Sequence, residues 1–305
     1  MRFGVNILNF GPGTDPSTLF GWARFAEEQG YHFAMISDHV AMTPDVANVY
    51  PEPFYEPFAT LAWLAGLTTR IELGTTVTIV PYRHPLLTAR LVANIDQFTG
   101  GRFIFGVSAG WAEQEFDALG VPFEQRGAIT DEYLEIIKRS WTEDVISADG
   151  EFVSFTGVAT GPPPARRPNP PVWVGGSSRA AFRRAVDFGE AWHPLNARME
   201  WLRDEGLPLL RRMAGKAGRP IPMFAPRTRL NLTDRPLAED RRLPCEGTMD
   251  QIRGDLEGFA ELGAEYVLFD TYPGTPARFR EPEEEQSVLQ VLADQALDLE
   301  NQALR

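Results

Sequence analysis

The sequence predicts a single-domain (β/α)8 barrel that spans residues 1–305 and carries two insertion loops. Short runs of β-branched and aromatic residues alternate eight times with amphipathic stretches, a pattern typical of a parallel sheet with helical crossovers. The length suits a barrel of about 250 residues enlarged by insertions. No linker or low-complexity tract divides the chain, so one barrel accounts for the whole pattern.

Eight short segments are predicted to be the barrel strands because they concentrate residues that favour a buried parallel sheet. The weakest patterns are those of the sixth and seventh segments. In chain order the predicted strands are residues 2–8, 32–37, 71–80, 102–107, 171–174, 191–194, 221–232 and 266–270.

The segments between these strands are predicted to be helices because their apolar residues recur at helical spacing. In the first helix Leu19, Trp22 and Phe25 share one face, and Pro16 and Gly30 are typical of its start and its end. The predicted helices are residues 16–30, 56–67, 85–98, 130–142, 177–189, 197–217, 249–263 and 283–304.

Two segments interrupt the alternation and are predicted to be insertions. Residues 41–55 follow the second strand and are rich in proline and aromatic residues, and residues 151–170 contain five prolines. This proline content is incompatible with a helix or a central strand. Both segments lie next to strand ends, where the loops of a barrel build its active site.

The composition restricts the partners of the protein. The formal net charge is −13, from 42 acidic and 29 basic side chains. A surface of this sign repels nucleic acid and anionic lipid, so we expect neither as a partner. An anionic cofactor would therefore need a local patch of backbone amides or arginines.

The cysteine and histidine content argues against disulfide and metal chemistry. The single cysteine, Cys245, allows no disulfide within the chain and no cysteine-based zinc site. The four histidines are not spaced as a metal-binding set, so we expect no catalytic metal. Residues 1–8 are predicted to be a strand rather than a signal peptide, and no apolar stretch reaches the ~20 residues of a membrane span. We therefore expect a cytoplasmic protein.

The turn after the fifth predicted strand is the clearest candidate for binding an anion. Gly175 and Gly176 let the backbone approach a ligand closely, and the following helix start offers unpaired amides and the positive end of its dipole. Ser177 and Ser178 add hydroxyl donors, so the turn predicts a phosphate site. The alternative is that Ser177 only caps the helix.

A second candidate lies at the end of the second strand, where Asp38 precedes His39. A histidine in this position can exchange a proton near neutral pH, and a neighbouring carboxylate can bias its charge. The alternative is a structural hydrogen bond from His39 to the backbone. Glu113 and Glu115 are further candidate acids, although a helix start also favours acidic residues for its dipole.

These motifs together resemble a known family. Residues 73–85 (LGTTVTIVPYRHP) and 100–111 (GGRFIFGVSAGW) are similar to the luciferase-like monooxygenase superfamily, and within it to the actinobacterial branch of F420-dependent oxidoreductases. The resemblance covers residues 2–194 in order, and the last third of the chain is less diagnostic. Further matching positions are Glu115-Phe116, Leu119-Gly120, Arg126-Gly127, Asp131-Glu132, Leu134, Trp141-Thr142 and residues 171–177.

The resemblance implies a barrel, often dimeric, with a flavin-like ring above the ends of strands two to four. It implies a non-prolyl cis peptide between Thr76 and Val77 that forms a bulge behind the ring, with Thr75, Thr76 and Val77 as cofactor contacts. It places Asp38 and His39 at the ring, and we expect His39 to be the catalytic residue, either as the proton donor or as the group that polarises the substrate. It also implies further cofactor contacts at Ala109, Gly110, Gly175, Gly176, Ser177 and Ser178.

One position departs from the family pattern. The sugar-phosphate dehydrogenases of this superfamily have a catalytic glutamate where this chain has Trp111. An aromatic residue there favours a less polar small-molecule substrate, and Glu115 lies too far along the helix to be assumed a substitute.

The resemblance implies hydride transfer between coenzyme F420 and an organic substrate, with reduction of an activated C=C or C=N bond. The first alternative is an FMN-dependent monooxygenase that works with a separate flavin reductase. The second is a flavin-binding barrel without catalysis. A homodimer is implied by the resemblance alone.

Overall fold

The chain forms a parallel eight-stranded barrel surrounded by helices, in a computed structural model that describes residues 1–305. The barrel strands are labelled in chain order, and the third and seventh each consist of two pieces. They are β1 (Arg2–Ile7), β2 (Phe33–Ile36), β3 (Glu72–Thr75 and Thr78–Ile79), β4 (Phe103–Ser108), β5 (Val172–Gly175), β6 (Ala191–His193), β7 (Met223–Phe224 and Arg227–Arg229) and β8 (Tyr266–Asp270).

The barrel is closed by β7, which pairs with both of its neighbours. Phe224 pairs with Trp192 of β6 and forms a bridge to Ala264 just before β8. Arg227 pairs with Leu268 of β8 and forms a bridge to Leu195 just after β6. The predicted (β/α)8 fold is therefore confirmed, including its two weakest strands.

Eight main helices cover the barrel, and all of them except α4 begin with a proline in the first turn or with a capping side chain. They are α1 (Pro16–Gln29), α2 (Pro57–Ala65), α3 (Pro85–Thr99), α4 (Arg126–Thr142), α5 (Arg179–Phe188), α6 (Leu207–Ala217), α7 (Met249–Glu261) and α8 (Pro282–Ala296). Short helical segments lie at Pro44–Ala47, Val80–Tyr82, Glu113–Ala118, Phe123–Gln125, Met199–Trp201, Leu202–Gly206 (a π-helical turn) and Pro276–Arg278.

Three predicted elements are shorter or more broken than expected. The last helix ends at Ala296 rather than at residue 304, because Leu297 adopts extended backbone and pairs with Leu304 in a small antiparallel ladder. The predicted strand 221–232 is divided at Pro226, which has no backbone N–H to donate. The predicted strand 71–80 is divided by a cis peptide bond between Thr76 and Val77, as the family resemblance implied.

Both insertions lie outside the barrel sheet. Residues 41–55 contain the short helix Pro44–Ala47, and their Tyr50 and Phe54 pack with Phe10. Residues 151–170 contribute the strand Ser154–Ala159, which forms a separate hairpin with Val145–Asp149. None of the helices combines the length and the apolar character that a membrane crossing requires.

The protein has two main apolar layers. The larger one, a cluster of 54 buried residues, lies between the barrel and its helices. The smaller one, with eight buried residues that include Phe33, Trp173 and Leu268, fills the inside of the barrel. Because the lower barrel is filled, space for a ligand remains only towards the carboxyl ends of the strands.

The close approach of β3 and β4 predicts a stability effect. A Cβ atom at Gly106 would overlap the carbonyl oxygen of Thr75, whereas Gly21 in α1 has no atom within 4 Å of the corresponding position. We expect Gly106→Ala to lower the free energy of unfolding by about 3 kcal/mol, and Gly21→Ala to leave it unchanged or raise it slightly. Urea denaturation measures both. Equal stability of the two variants would contradict this contact.

Candidate active site

The main cavity lies at the carboxyl ends of β3 to β7 and has a volume of about 510 Å³. Its walls come from four parts of the chain. They are the cis peptide (Thr76, Val77), the end of β4 (Ser108, Ala109, Gly110, Trp111), an arginine-containing edge (Glu124, Arg126, Gly127, Gly175, Gly176, Ser178, Ala180, Ala181, Arg184) and the ends of β6 and β7 (His193, Leu195, Arg227). Seven of the predicted site residues therefore meet in one cavity: Thr76, Val77, Ala109, Gly110, Gly175, Gly176 and Ser178.

The turn after β5 forms part of the cavity wall and leads directly into α5. Gly176 has a φ of +100°, and its carbonyl accepts a 2.8 Å hydrogen bond from the buried indole of Trp192. Ser178 caps α5 by accepting from the Ala181 amide at 3.1 Å. The capping residue is thus Ser178, not Ser177, which is exposed and does not line the cavity. A role for Ser177 in binding stays a prediction.

Two arginines that the sequence did not indicate as site residues, Arg126 and Arg184, line the cavity beside this turn. Arg184 is buried and donates to Asp131 at 2.7 Å and to the Gly127 carbonyl at 2.8 Å. Arg126 has no carboxylate partner, and its guanidinium lies 3.8 Å from the ring centre of Phe123. The packing of α4 against α5 brings both arginines to the cavity. No local sequence pattern indicates this packing.

His39 is held by a buried carboxylate. Its Nδ1 lies 2.6 Å from Oε2 of Glu115, which also accepts a 2.8 Å hydrogen bond from the Tyr82 hydroxyl. The other oxygen of Glu115 accepts from the backbone amides of Val40 and Ala41 at 2.6 and 3.0 Å. Glu115 is therefore neither a surface charge nor a helix cap, as the sequence had allowed, but the centre of a hydrogen-bonded cluster.

The surroundings of Glu115 favour its ionised form. Burial alone would raise the pKa of this carboxyl, but the hydrogen bond from His39 and the amides of Ala41 and Val40 outweigh it and lower the pKa below its ordinary value. With an anion at Oε2, Nδ1 of His39 is the donor of the pair. Nε2 makes no hydrogen bond within the protein, so it is the nitrogen left to exchange a proton.

Aromatic rings surround His39 on its remaining sides. The ring centres of Tyr50, Phe54 and Trp111 lie 5.0, 5.4 and 5.7 Å from that of the imidazole. Trp111 also lines the cavity and is 46% exposed, so it separates His39 from open solvent. His39 itself is 5% exposed and lies beside the cavity rather than in its wall. Its catalytic role stays a prediction.

Asp38 and Thr75 do not line the cavity, and their contact with a cofactor stays a prediction. Asp38 accepts two hydrogen bonds from Arg83, at 2.8 and 2.9 Å, and one from the Ile79 amide at 2.9 Å. Its side chain is fully buried and holds Arg83 and the second piece of β3 in place. Thr75 is equally buried and its hydroxyl donates to the Gly106 carbonyl at 2.7 Å.

A polar cluster fixes the cis peptide at the base of the cavity. Arg227 donates to the Thr76 carbonyl at 2.5 Å and is paired with Asp270 at 2.6 Å. His193 lies 3.0 Å from the Thr76 hydroxyl through Nε2, and its Nδ1 lies 2.5 Å from the Ala225 carbonyl. Since a carbonyl can only accept, Nδ1 of His193 carries the proton and Nε2 accepts from Thr76.

The chain belongs to the luciferase-like monooxygenase family, whose sequence model matches residues 1–265. The FMNH2-dependent dimethylsulfone monooxygenase of Pseudomonas putida is 33% identical over 162 residues, which are 52% of this chain and 43% of that enzyme. The match thus spans less than half of that relative. An uncharacterized protein of Mycobacterium tuberculosis is 28% identical over 232 residues, 72% of this chain and 80% of that protein.

Solved structures of the same fold include a monooxygenase and an F420-dependent dehydrogenase. The monooxygenase RslO1 from Streptomyces bottropensis superposes with a TM-score of 0.76 at 21% identity, over 96% of this chain and 98% of that chain. An F420-dependent secondary alcohol dehydrogenase, solved with an F420-acetone adduct, superposes with a TM-score of 0.77 at 15% identity, over 95% and 97%. At these identities the likeness shows the fold alone. The family is one of oxidoreductases and monooxygenases.

The buried His193 predicts a pH dependence of stability. Burial lowers the pKa of His193 from 6.5 to about 4, and the neighbouring Arg227 acts in the same direction. The unfolded chain therefore protonates this imidazole at a higher pH than the folded protein does. As a result, the free energy of unfolding falls as the pH drops from 6.5 to about 4. Over this pH range, titration of His193 lowers the free energy of unfolding by about 3 kcal/mol in total.

We expect His193→Asn to remove this part of the acid destabilisation, because the replacement cannot bind a proton. The measurement is urea denaturation at pH 7, 5.5 and 4.5, compared with wild type. His84→Asn is the control, since His84 is exposed and asparagine keeps its helix-capping role. If wild type and His193→Asn lose stability in parallel over this range, His193 does not titrate as described.

Proposed function

We propose that the protein is a coenzyme F420-dependent oxidoreductase that transfers a hydride to an organic substrate and reduces an activated C=C or C=N bond. The proposal rests on two arginines that lie just beyond the turn after β5 in the chain or beside it in the cavity. Arg126 in the cavity and the exposed Arg179 at the start of α5 both lack a carboxylate partner. F420 carries a phosphodiester followed by glutamate carboxylates, whereas FMN ends in one phosphate, so two arginines without a carboxylate partner favour the longer anionic chain.

The cavity fits such a cofactor at both of its ends. Val77, Ala109 and Trp111 offer apolar surface for a planar ring, and the glycine turn with Ser178 and Arg126 offers donors for a phosphate. Gly110 has a φ of +83° and allows the backbone after β4 to pass close to Ile79 and Phe116. The cofactor, when bound, supplies the hydride chemistry, and the protein supplies position and a proton.

His39 is proposed as the residue that provides the proton. Its Nδ1 is engaged by Glu115, which leaves Nε2 as the donor or acceptor towards a substrate. Glu115 fixes the tilt of the imidazole and stabilises the charge that forms when Nε2 takes up a proton. The aromatic rings around His39 exclude water from this exchange.

An FMN-dependent monooxygenase is the second candidate. It is supported by the 33% identity to the FMNH2-dependent dimethylsulfone monooxygenase, and by the alkanal monooxygenase alpha chain of Photorhabdus laumondii, 27% identical over 194 residues. Such an enzyme would need reduced FMN from a separate flavin reductase.

Parallel titrations with F420 and with FMN distinguish the two candidates. Quenching of tryptophan fluorescence reports binding, because Trp111 lines the cavity. We expect F420 to bind more tightly, and Arg126→Ala to weaken it about tenfold. Arg211→Ala, which removes an exposed arginine of α6, is the matched control and keeps full affinity. Tighter binding of FMN would reject the F420 assignment and lead to an oxygen-consumption assay with reduced FMN.

Turnover then tests the role of His39. His39→Ala is expected to keep cofactor affinity and to lose about 100-fold in turnover with enones or imines. Full turnover of this variant would show that His39 is not the proton donor.

A further inference from the structure

A second cavity lies at the carboxyl ends of β7 and β8, and its lining is dominated by arginines. Its volume is about 180 Å³. Arg229 at the end of β7 and Arg278 and Arg280 in the loop after β8 face it, together with a single carboxylate, Glu246. Three arginines around one small polar cavity are unexpected in a chain of net charge −13.

The local charges do not cancel. Arg280 is neutralised by the buried Glu285, with hydrogen bonds of 3.0 and 2.8 Å. Arg229 lies 3.5 Å from Glu246, which is a loose pair. Arg278 makes no side-chain hydrogen bond or ion pair and is exposed. One positive charge is therefore left over, and the loosely held Arg229 has donors to spare for an anion.

The cavity is built by the backbone as well as by the side chains. Gly274 has a φ of +83°, and a Cβ atom there would overlap Nη2 of Arg229. The loop after β8 thus folds closely over this guanidinium. The backbone amide of Arg229 donates to Oδ1 of Asn196 at 2.8 Å, which fixes the end of β7. The backbone of Arg229 is thus fixed, while its guanidinium is only loosely paired and keeps donors for an anion.

The second cavity adjoins the main one along β7. Arg227 lines the main cavity, and Arg229, two residues further along the strand, lines the second. Residues two apart on a strand lie on the same face, so the two cavities follow one another towards the barrel mouth. The turn after β5 is two to three strands away around the barrel. The arginines of β7 and β8 therefore suit a different anionic group from the one at that turn.

We propose that the second cavity is a subsite for a carboxylate or phosphate group of the substrate. The assignment to a substrate rests on the proposed function, whereas the ability to bind an anion does not. Arginine is the side chain best suited to either group, because its planar fork donates two parallel hydrogen bonds. The substrate class that follows is an organic acid or phosphate ester whose reducible bond lies in the main cavity.

Anion binding is tested by isothermal titration calorimetry with inorganic phosphate and, separately, with malonate. The starting protein is the Arg126→Ala variant, so that the main cavity contributes less to the anion binding that is measured. We expect one of the two anions to bind, and addition of Arg278→Ala to weaken it at least fivefold. Arg211→Ala, which removes the same charge from an exposed and unpaired position, is expected to leave binding unchanged. No binding of either anion, or equal weakening by both substitutions, overturns the proposal.

The link to the substrate is tested with the cofactor-loaded enzyme. Acidic enones are expected to have a lower KM than their methyl esters. Arg278→Ala is expected to abolish that preference, whereas the control Arg211→Ala is expected to keep it. If phosphate or malonate binds as described but acids and esters react equally, the cavity binds anions without serving the substrate. If no enone or imine reacts at all, the proposed reaction fails while the calorimetric result stands.

Discussion

The arrangement of the active site depends on one buried carboxylate, that of Glu115. It accepts hydrogen bonds from the segment after β2 through His39, Val40 and Ala41, and from the segment after β3 through Tyr82. Glu115 itself follows β4, so a single side chain joins the ends of three neighbouring strands. An ionised carboxylate without these donors would be strongly unfavourable inside the protein, which is why the three segments must stay together.

A second polar cluster determines the shape of the cavity below. The pair of Arg227 and Asp270 holds the carbonyl of Thr76, and the neutral His193 holds its hydroxyl. The same strand that supplies Arg227 continues to Arg229, so β7 connects the proposed site of chemistry with the proposed anion subsite. Binding and reaction would then be organised along one rigid element rather than by mobile loops.

The sequence predicted the barrel well because each βα unit carries its own periodicity and its own helix signals. The turn Gly175–Ser178 and the cis peptide after Thr75 could also be located, the first from its residue types and the second from the family resemblance. Contacts between distant segments were missed. Glu115 looks like an ordinary residue of a helix start, and Arg126, Arg184 and Arg229 acquire their roles only when separate elements pack together. The same limit explains Asp38, whose partner Arg83 lies 45 residues away.

The most direct test of this account is a double-mutant cycle of His39→Ala and Glu115→Gln, measured as free energies of unfolding at pH 7. The account predicts a coupling of about 1–3 kcal/mol, because the two side chains share a short, charge-assisted hydrogen bond in a buried environment. It requires no cofactor and no substrate. Additivity of the two substitutions within about 0.5 kcal/mol would mean that Glu115 does not hold His39, and would contradict the central claim.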